Sequence, residues 1–397
     1  MIEVEDVVKI YGEEPEKVLD LLKDGMSKDE IHQKTGNVVG VNQVSFELET
    51  QEIFVIMGLS GSGKSTLLRC INRLIEPTDG RIYFKPPDEE RIEITACNDD
   101  ELRQIRLNYL SMVFQNFALL PYKTVAENVS LGLKFSGIEK EKRRKRAEEV
   151  LKIVGLGDWA DSKPDKLSGG MRQRVGLARA LATDAPVLLM DEPFSALDPL
   201  IRYEMQDELI KLQNKLKRTI IFVTHDLGEA LKLGDRIAIM NDGEIVQIDS
   251  PEQIIINPLT DYVARFVDNA DPTDVIKADI LAKTDFEVDD NKKIYYRTGK
   301  GEGLEVFLDS NGEVKKCIYE GREVGISEYS TLTEDNIKKM DDELLKFNFD
   351  NTLREAIRVM RLNEKPIVVL DANNKFYGII GNKEIYDGIL KKIDDNH

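Results

Sequence analysis

The sequence has few residues of the kinds that build disulfides and zinc sites. Its 397 residues include three cysteines and three histidines, and Cys70, Cys97 and Cys317 have no C-x-x-C spacing. These counts argue against a disulfide framework or a zinc site and fit a reducing compartment. No stretch approaches the ~20 apolar residues of a membrane-spanning helix, and the N-terminus lacks the features of a secretory signal. We therefore expect a cytoplasmic chain whose membrane role, if it has one, comes through a partner.

Basic residues are also in deficit. The chain carries 55 Lys and Arg against 73 Asp and Glu, a formal net charge of -18. A nucleic-acid-binding surface needs clustered basic residues, so this balance argues against nucleic acid as a partner and favours a role of the acidity in solubility. With 41% hydrophobic residues the composition is that of a globular protein, and the length predicts two or more domains.

Short apolar runs rich in branched residues alternate with longer helical patterns. The runs at 53–57, 187–190 and 219–224 predict buried strands, as in parallel sheets. Further strands are predicted at 2–10, 44–48, 236–240 and 244–248, and helices at 140–154, 168–182 and 202–216. This alternation indicates an α/β fold with a mainly parallel sheet.

The strongest motif is Gly58–Ser65, which has the pattern G-x-x-x-x-G-K-[ST] directly after a predicted strand. Its glycines allow backbone N–H groups to face a triphosphate, and the following helix adds positive potential at its N-terminus. Lys64 is expected to reach the β- and γ-phosphates, and the Ser65 hydroxyl is expected to bind Mg²⁺. The motif therefore predicts a nucleotide site.

Two further stretches support hydrolysis of that nucleotide. Asp191 and Glu192 end a predicted buried strand; the first can hold Mg²⁺ through its water shell, and the second can orient or deprotonate the attacking water. Ser168 is a favourable helix N-cap followed by Gly169 and Gly170, which leave backbone donors uncovered. This is a second anion-receiving helix start in one chain.

These motifs, with others in the same order, resemble those of ABC transporter ATPases. Leu167–Met171 resembles the signature motif, Gln115 matches the Q-loop glutamine, and Asp198 ends a segment similar to the D-loop. His225 matches the switch histidine that contacts the γ-phosphate, and Tyr11 matches the aromatic residue that stacks on adenine. The resemblance implies an α/β P-loop NTPase cassette with a mainly parallel core, an antiparallel β subdomain and a helical signature subdomain.

The same resemblance assigns the site residues. The catalytic residues would be Lys64, Gln115, Glu192 and His225. The Mg²⁺ ligands would be Ser65, Gln115 and Asp191. The residues around ATP would be Tyr11, Gly58, Ser60, Gly61, Ser62, Gly63, Lys64, Ser65, Thr66, Ser168, Gly169, Gly170 and Asp198. Two chains would bind head to tail, each ATP lying between the P-loop of one and the signature of the other, and would drive membrane permease subunits fed by a substrate-binding protein or domain.

Within that family, nearly the whole chain resembles the importer ATPases for glycine betaine and proline betaine. The resemblance rests on a helical insertion at 13–39 and on the stretches 72–78, 114–121 and 194–202. Segment 85–98 departs from the pattern, and we interpret it as a surface elaboration. The resemblance implies an importer of quaternary-amine osmoprotectants (glycine betaine, proline betaine, carnitine or choline), with this chain on the cytoplasmic side of the membrane.

The cassette is predicted to span 1–267, followed by an acidic linker at 268–274. The tail, 275–397, resembles a tandem pair of CBS domains. Its first copy departs strongly from the pattern, and its second copy covers about 344–392. CBS pairs bind adenine nucleotides or cyclic di-AMP, which makes the tail a candidate regulatory site; a docking module without a ligand is the alternative.

Three other functions remain open from the sequence. The chain could serve an importer of another solute, such as methionine or a polyamine, although the insertion at 13–39 would then be unexpected. A non-transport ABC ATPase would usually carry two cassettes or a long coiled coil, and neither pattern occurs here. A purely regulatory CBS protein would have a dead ATP site, whereas Lys64, Asp191, Glu192 and His225 are all present.

Overall fold

The computed structural model describes residues 2–86, 90–114, 118–268, 270–286, 288–289, 292–297, 303–340 and 342–390. The chain falls into two compact units. The first comprises Met1–Pro251 and Leu259–Val263, and the second comprises Glu252–Pro258 and Ala264–His397. Each unit has its own sheet structure and its own hydrophobic core.

The first unit contains a four-stranded and a six-stranded sheet. Its strands are β1 (Ile2–Tyr11), β2 (Val38–Leu48), β3 (Ile53–Met57), β4 (Asp79–Phe84), β5 (Ile92–Glu93), β6 (Leu110–Val113), β7 (Val187–Asp191), β8 (Thr219–Thr224), β9 (Arg236–Asn241) and β10 (Glu244–Asp249). In the larger sheet, the order is β10-β9-β3-β8-β7-β6. All neighbours in it are parallel except the β9–β10 hairpin, which confirms the mainly parallel core.

Burial explains why these runs form the central strands. Every residue of β3, β7 and β8 is buried, as expected for strands covered on both faces. The smaller sheet, ordered β2-β1-β4-β5, is antiparallel. Its β2 buries alternate residues along most of its length. The Phe46 ring of β2 stacks on the Phe54 ring of β3 at a centroid distance of 4.9 Å, so both sheets share one core.

The helices of the first unit include those that the sequence predicted. They are α1 (Pro15–Lys23), α2 (Lys28–Thr35), α3 (Lys64–Ile71), α4 (Asp99–Asn108), α5 (Val125–Val129), α6 (Leu131–Phe135), α7 (Lys140–Ile153), α8 (Gly169–Ala182), α9 (Pro199–Leu216) and α10 (Leu227–Leu233). Two more helices, α11 (Pro251–Ile256) and α12 (Asp261–Val267), span the boundary between the units. Across the described ranges, no helix is both long and apolar enough to cross a bilayer.

The insertion at 13–39 folds as the helix pair α1–α2. Ser27 caps α2 through a reciprocal capping box with Glu30, which follows it by three residues. Val18 and Ile31 are buried against Val8 of β1. The insertion is thereby packed onto the strand that ends at Tyr11.

Segment 85–98 is only partly the surface elaboration that the sequence indicated. Arg91 and Asn98 are exposed, but Ile94 and Cys97 belong to the main core of the first unit. A 3₁₀ turn at Ile94–Ala96 directs these side chains inward. Residues 87–89 lie outside the described ranges.

The second unit contains one seven-stranded sheet in chain order. Its strands are β11 (Lys293–Arg297), β12 (Gly303–Leu308), β13 (Val314–Tyr319), β14 (Arg322–Glu328), β15 (Glu343–Phe347), β16 (Ile367–Leu370) and β17 (Phe376–Ile380). Its helices are α13 (Ala278–Leu281), α14 (Glu334–Lys338), α15 (Leu353–Asn363) and α16 (Asn382–Ile389). β11–β14 form an antiparallel meander, β14–β16 are parallel, and β17 is antiparallel to β16.

The two halves of the tail differ in structure. From β15 to α16 the order is strand, helix, strand, strand, helix. Between 275 and 328, the described residues contain one α-helix, the four-residue α13, and then the meander. One apolar cluster lies around α15 and α16, and another is centred on the strands of the meander.

Candidate functional site

The loop between β3 and α3 has a backbone that only glycine fits at two positions. Gly63 adopts a φ of 99°, and a Cβ there would lie 2.2 Å from the carbonyl oxygen of Gly40. At Gly58 an added Cβ would lie 2.2 Å from the carbonyl oxygen of Met240. The loop is further held by a hydrogen bond from the Gly243 N–H to the Ser62 carbonyl at 3.0 Å. Its tip, Ser60 and Gly61, is exposed.

Lys64 lies under this loop and is only 5% exposed. Its ammonium donates to the carbonyl of Leu59 at 2.8 Å and lies 3.5 Å from the Ser62 hydroxyl. Burial lowers the pKa of Lys64 below its usual value, although the carboxylates of Asp191 and Glu192 oppose the shift. A buried cation beneath a glycine-rich loop at the start of a helix is the environment that a triphosphate requires.

The residues predicted to hold Mg²⁺ meet at the C-terminal end of β7. Asp191 is fully buried, and its Oδ1 accepts a hydrogen bond from the Ser65 hydroxyl at 2.7 Å. Its Oδ2 pairs with Nη2 of Arg69 at 3.0 Å. No group of three or more His, Cys, Asp or Glu side chains in the described residues could hold a metal by itself. One carboxylate and one hydroxyl fit Mg²⁺, which binds few protein ligands and completes its shell with water and phosphate.

The candidate catalytic pair lies one step further along two neighbouring strands. Parallel β7 and β8 pair Asp191 with Val223. Glu192, one residue after Asp191, and His225, two residues after Val223, therefore meet at the same sheet edge. Glu192 Oε1 lies 3.3 Å from Nδ1 of His225. Glu192 has a φ of 45°, in the left-handed region, a strained conformation that is common at active sites. Its backbone is fixed by a hydrogen bond from its N–H to the Val223 carbonyl at 3.0 Å.

Tyr11 lies at the end of β1 beside the P-loop helix. Its side chain is 39% exposed, and its hydroxyl lies 3.2 Å from the Thr66 hydroxyl. The ring covers Gly40, where an added Cβ would lie 2.9 Å from Tyr11 Cε2. An exposed ring in this position can stack on a base.

The signature residues contact their own helix and the D-loop. Ser168 caps α8 by accepting a hydrogen bond from the Met171 N–H at 3.2 Å. Gly170 faces the D-loop instead, since a Cβ there would lie 3.0 Å from Leu197 Cδ2. Asp198 caps α9 through the Ile201 N–H at 3.2 Å. Within the described ranges, no hydrogen bond or ion pair connects Ser168 with Lys64 or Asp191. Gln115, predicted for catalysis and Mg²⁺ binding, lies outside those ranges.

Sequence reasoning did not single out Arg69 or Gly40 as site residues. Arg69 lies four residues after Ser65 in α3, so both face the same side of that helix. A basic residue one turn beyond the P-loop was a signal that could have been used. Gly40 interrupts the valines of β2, and a glycine within a strand often marks a close approach.

Comparison with known proteins agrees with this geometry. The family model described as ABC transporter matches residues 41–195. The chain belongs to the ATP-binding subunits of ABC transporters and is an ATPase of that type. Such subunits dimerise and work with membrane permease components.

Several known ATP-binding proteins of transport systems are similar to this chain over most of its length. The chain is 45% identical over 386 residues to the glycine betaine transport ATP-binding protein OpuAA of Bacillus subtilis, covering 96% of this chain and 90% of that protein. It is 44% identical over 388 residues to the glycine betaine/carnitine transport ATP-binding protein GbuA of Listeria monocytogenes, covering 96% and 95%. It is 51% identical over 282 residues to the glycine betaine/proline betaine transport system ATP-binding protein ProV of Escherichia coli, covering 71% and 69%.

The fold also matches solved ATP-binding cassettes. One is a dimeric cassette in a post-hydrolysis state bound to ADP and Pi, with a TM-score of 0.54 and 36% sequence identity. That match covers 63% of this chain and 99% of the solved one. The ABC cassette fold predicted from the sequence is thus confirmed.

Proposed function

We propose that this chain hydrolyses ATP to energise an importer of quaternary-amine osmoprotectants. The observation that carries the hydrolytic part is the convergence of three groups at one sheet edge. They are the buried Lys64, the Ser65–Asp191 hydrogen bond and the Glu192–His225 contact. Each has a distinct task in phosphoryl transfer.

Lys64 binds the β- and γ-phosphates, because its ammonium already lies under the loop that would surround them. Ser65, Gln115 and Asp191 would hold Mg²⁺, which would supply positive charge to offset the charge developing on the phosphoryl oxygens. Glu192 accepts hydrogen bonds from the attacking water and orients it, while His225 fixes the Glu192 carboxylate through the 3.3 Å contact and reaches towards the γ-phosphate.

Two copies of the chain complete each ATP site. The uncapped donors of Gly169 and Gly170, with the Ser168 hydroxyl, bind the γ-phosphate held by the P-loop of the other copy. Among the described residues of one chain, Ser168 makes no hydrogen bond with Lys64, which supports this arrangement. Asp198 of the D-loop lies beside the same contact. The pair lies on the cytoplasmic side of the membrane. Its closing and reopening, driven by ATP, moves the permease subunits.

The solute class rests on the relatives. The proteins that match this chain over most of its length are named for glycine betaine, carnitine and proline betaine transport. Others, 48% identical, are named for trimethylamine N-oxide transport. All these solutes carry a fully substituted nitrogen. The α1–α2 insertion, anchored on β1, is the structural feature that supports this subclass over importers of methionine or polyamines.

The tail is proposed to regulate transport as a CBS-like domain. The order of elements from β15 to α16 supports a CBS-like second copy at about 344–392. The meander β11–β14 supports a divergent first copy, so only one nucleotide cleft of the usual kind is expected. An adenine nucleotide or cyclic di-AMP is the proposed ligand. Calorimetric titration of the full chain with cyclic di-AMP under saturating ATP tests this proposal. Saturable binding is expected. The absence of any heat of binding would favour a docking module without a ligand.

The solute is tested with the chain assembled on its permease in lipid vesicles. ATPase activity is measured with glycine betaine, proline betaine, carnitine, methionine and spermidine supplied to the substrate-binding side. Stimulation by the betaines and carnitine alone is expected. Stimulation by methionine or spermidine instead would overturn the solute assignment, and no ATPase activity under any condition would overturn the enzymatic one. The Glu192→Gln chain provides the background rate.

A further inference from the structure

A small cavity lies between α8 and the segment that follows β7. Its volume is ≈ 10 Å³, which is room for about one water molecule. Most of its walls are apolar and include Leu177, Phe194 and Leu197. Gln173 of α8 also lines it and brings an amide group into this apolar surrounding.

The Gln173 side chain is 4% exposed, and neither its Nε2 nor its Oε1 has a hydrogen-bond partner in the described part of the chain. An amide can donate two hydrogen bonds and accept two. Leaving them unmade inside a protein is destabilising, so such groups are rare in native structures and require a reason. Gln206 is a useful contrast: it is 3% exposed, but its Nε2 lies 3.5 Å from Oε1 of Glu229.

The position of Gln173 links two parts of the ATPase that have to move together. Its helix begins at the signature, whose Gly170 packs directly on Leu197 of the D-loop. The D-loop segment itself follows Glu192, with the Ser195 hydroxyl donating to the Glu192 carbonyl at 3.0 Å. A shift of the segment 193–198 against α8 therefore changes the surroundings of Gln173 and the backbone that positions Glu192.

We propose that Gln173 is a positioning residue whose amide finds its hydrogen-bond partners only when two chains close on ATP. In the open chain the amide has no partner among the described residues, which raises the free energy of that state. In the closed pair, the shifted 193–198 segment presents backbone N–H and carbonyl groups to it. Gln173 thereby favours closure and holds the D-loop in the position that the Glu192 carboxylate needs. This inference rests on the proposed function, since it requires ATP-driven closure.

The test replaces Gln173 with methionine, which has a similar length and shape but no amide. In the nucleotide-free full chain, Gln173→Met is expected to raise Tm by about 2 °C or more, because an unpaired polar group is removed. The matched control, Gln206→Met, loses a hydrogen bond and is expected to lower Tm. In ATPase assays of the same chains, Gln173→Met is expected to lower kcat by about 5-fold or more while KM for ATP is unchanged.

The outcomes separate the possible roles. A lower Tm for Gln173→Met would show that the amide is already bonded in the open chain, for example through a water in the cavity, and would overturn the proposal. A higher Tm with unchanged kcat would show a packing defect without a role in closure, and would overturn it as well. Failure of the proposed function itself is distinguishable, because the wild-type chain would then hydrolyse no ATP.

Discussion

Replacing Glu192 with glutamine removes one negative charge and one proton acceptor while keeping the shape of the side chain. In the structure, Glu192 Oε1 lies 3.3 Å from His225 Nδ1, and its backbone has the left-handed φ of 45°. Glutamine can keep both features, so the fold of the site should survive. What is lost is the group that, in the proposed mechanism, orients and deprotonates the attacking water.

The expected loss can be worked out from the chemistry. General base catalysis contributes about 10²–10⁴-fold to a rate, which corresponds to about 3–5 kcal/mol of transition-state free energy. We expect kcat of Glu192→Gln to fall within that range. ATP affinity should be retained or increased, because the removed carboxylate is one of two negative charges close to Lys64 and hence to the phosphates.

The assay is phosphate release under saturating Mg-ATP, combined with equilibrium binding of a fluorescent ATP analogue. Glu204→Gln is the matched control, since Glu204 is exposed on α9. The Glu204→Gln chain should hydrolyse ATP at the wild-type rate. Hydrolysis by Glu192→Gln within threefold of wild type would refute the role of Glu192. A loss of ATP binding would refute the claim that Glu192 serves the chemical step.

Three further predictions follow from contacts around the site. Arg69→Met leaves the buried Asp191 carboxylate with one partner fewer. Because Arg69 is partly exposed, we expect the free energy of unfolding to fall by about 1–2 kcal/mol, less than for the loss of a fully buried ion pair. Thermal melts with and without Mg-ATP measure it, and an unchanged Tm would contradict the ion pair. Gly40→Ala should displace the Tyr11 ring, which lies 2.9 Å from the new Cβ; we expect KM for ATP to rise about fivefold, a loss of ~1 kcal/mol, and an unchanged KM would argue against Tyr11 as the adenine contact. Burial raises the pKa of the Glu229 carboxyl above 4.5, so its contribution to stability is present at acid pH and is lost as pH rises through the folded-state value. Melts from pH 4 to 8 should therefore decline more steeply for wild type than for Glu229→Gln, and parallel curves would contradict the shift.

Residues that follow from strand ends and loop chemistry could be predicted from the sequence. Asp191 ends one buried apolar run, and Lys64 begins the helix after the loop that follows another. Parallel strands bring such ends to one edge of the sheet. Their meeting through Ser65 therefore needed no knowledge of side-chain packing. The capping box at Ser27 and the helix start at Ser168 are equally local, because each depends on residues within one turn.

Contacts set by tertiary packing could not be predicted in this way. Arg69 pairs with Asp191 only because α3 lies across the end of β7. Gly40 matters because the Tyr11 ring of a neighbouring strand covers it. Ile94 looked like part of a polar surface segment, yet a short 3₁₀ turn places it in the core. The meander β11–β14 was missed because its strands are short and carry many charged residues, so that their alternation is weak.

The central claim is that ATP hydrolysis at this site drives solute uptake. Its most direct test is uptake of labelled glycine betaine into vesicles that contain the chain and its permease, with ATP on the side of the chain. The account predicts uptake that requires ATP and stops with Glu192→Gln. Equal uptake by the Glu192→Gln chain, or ATP-dependent uptake of methionine or spermidine in place of glycine betaine, would contradict it.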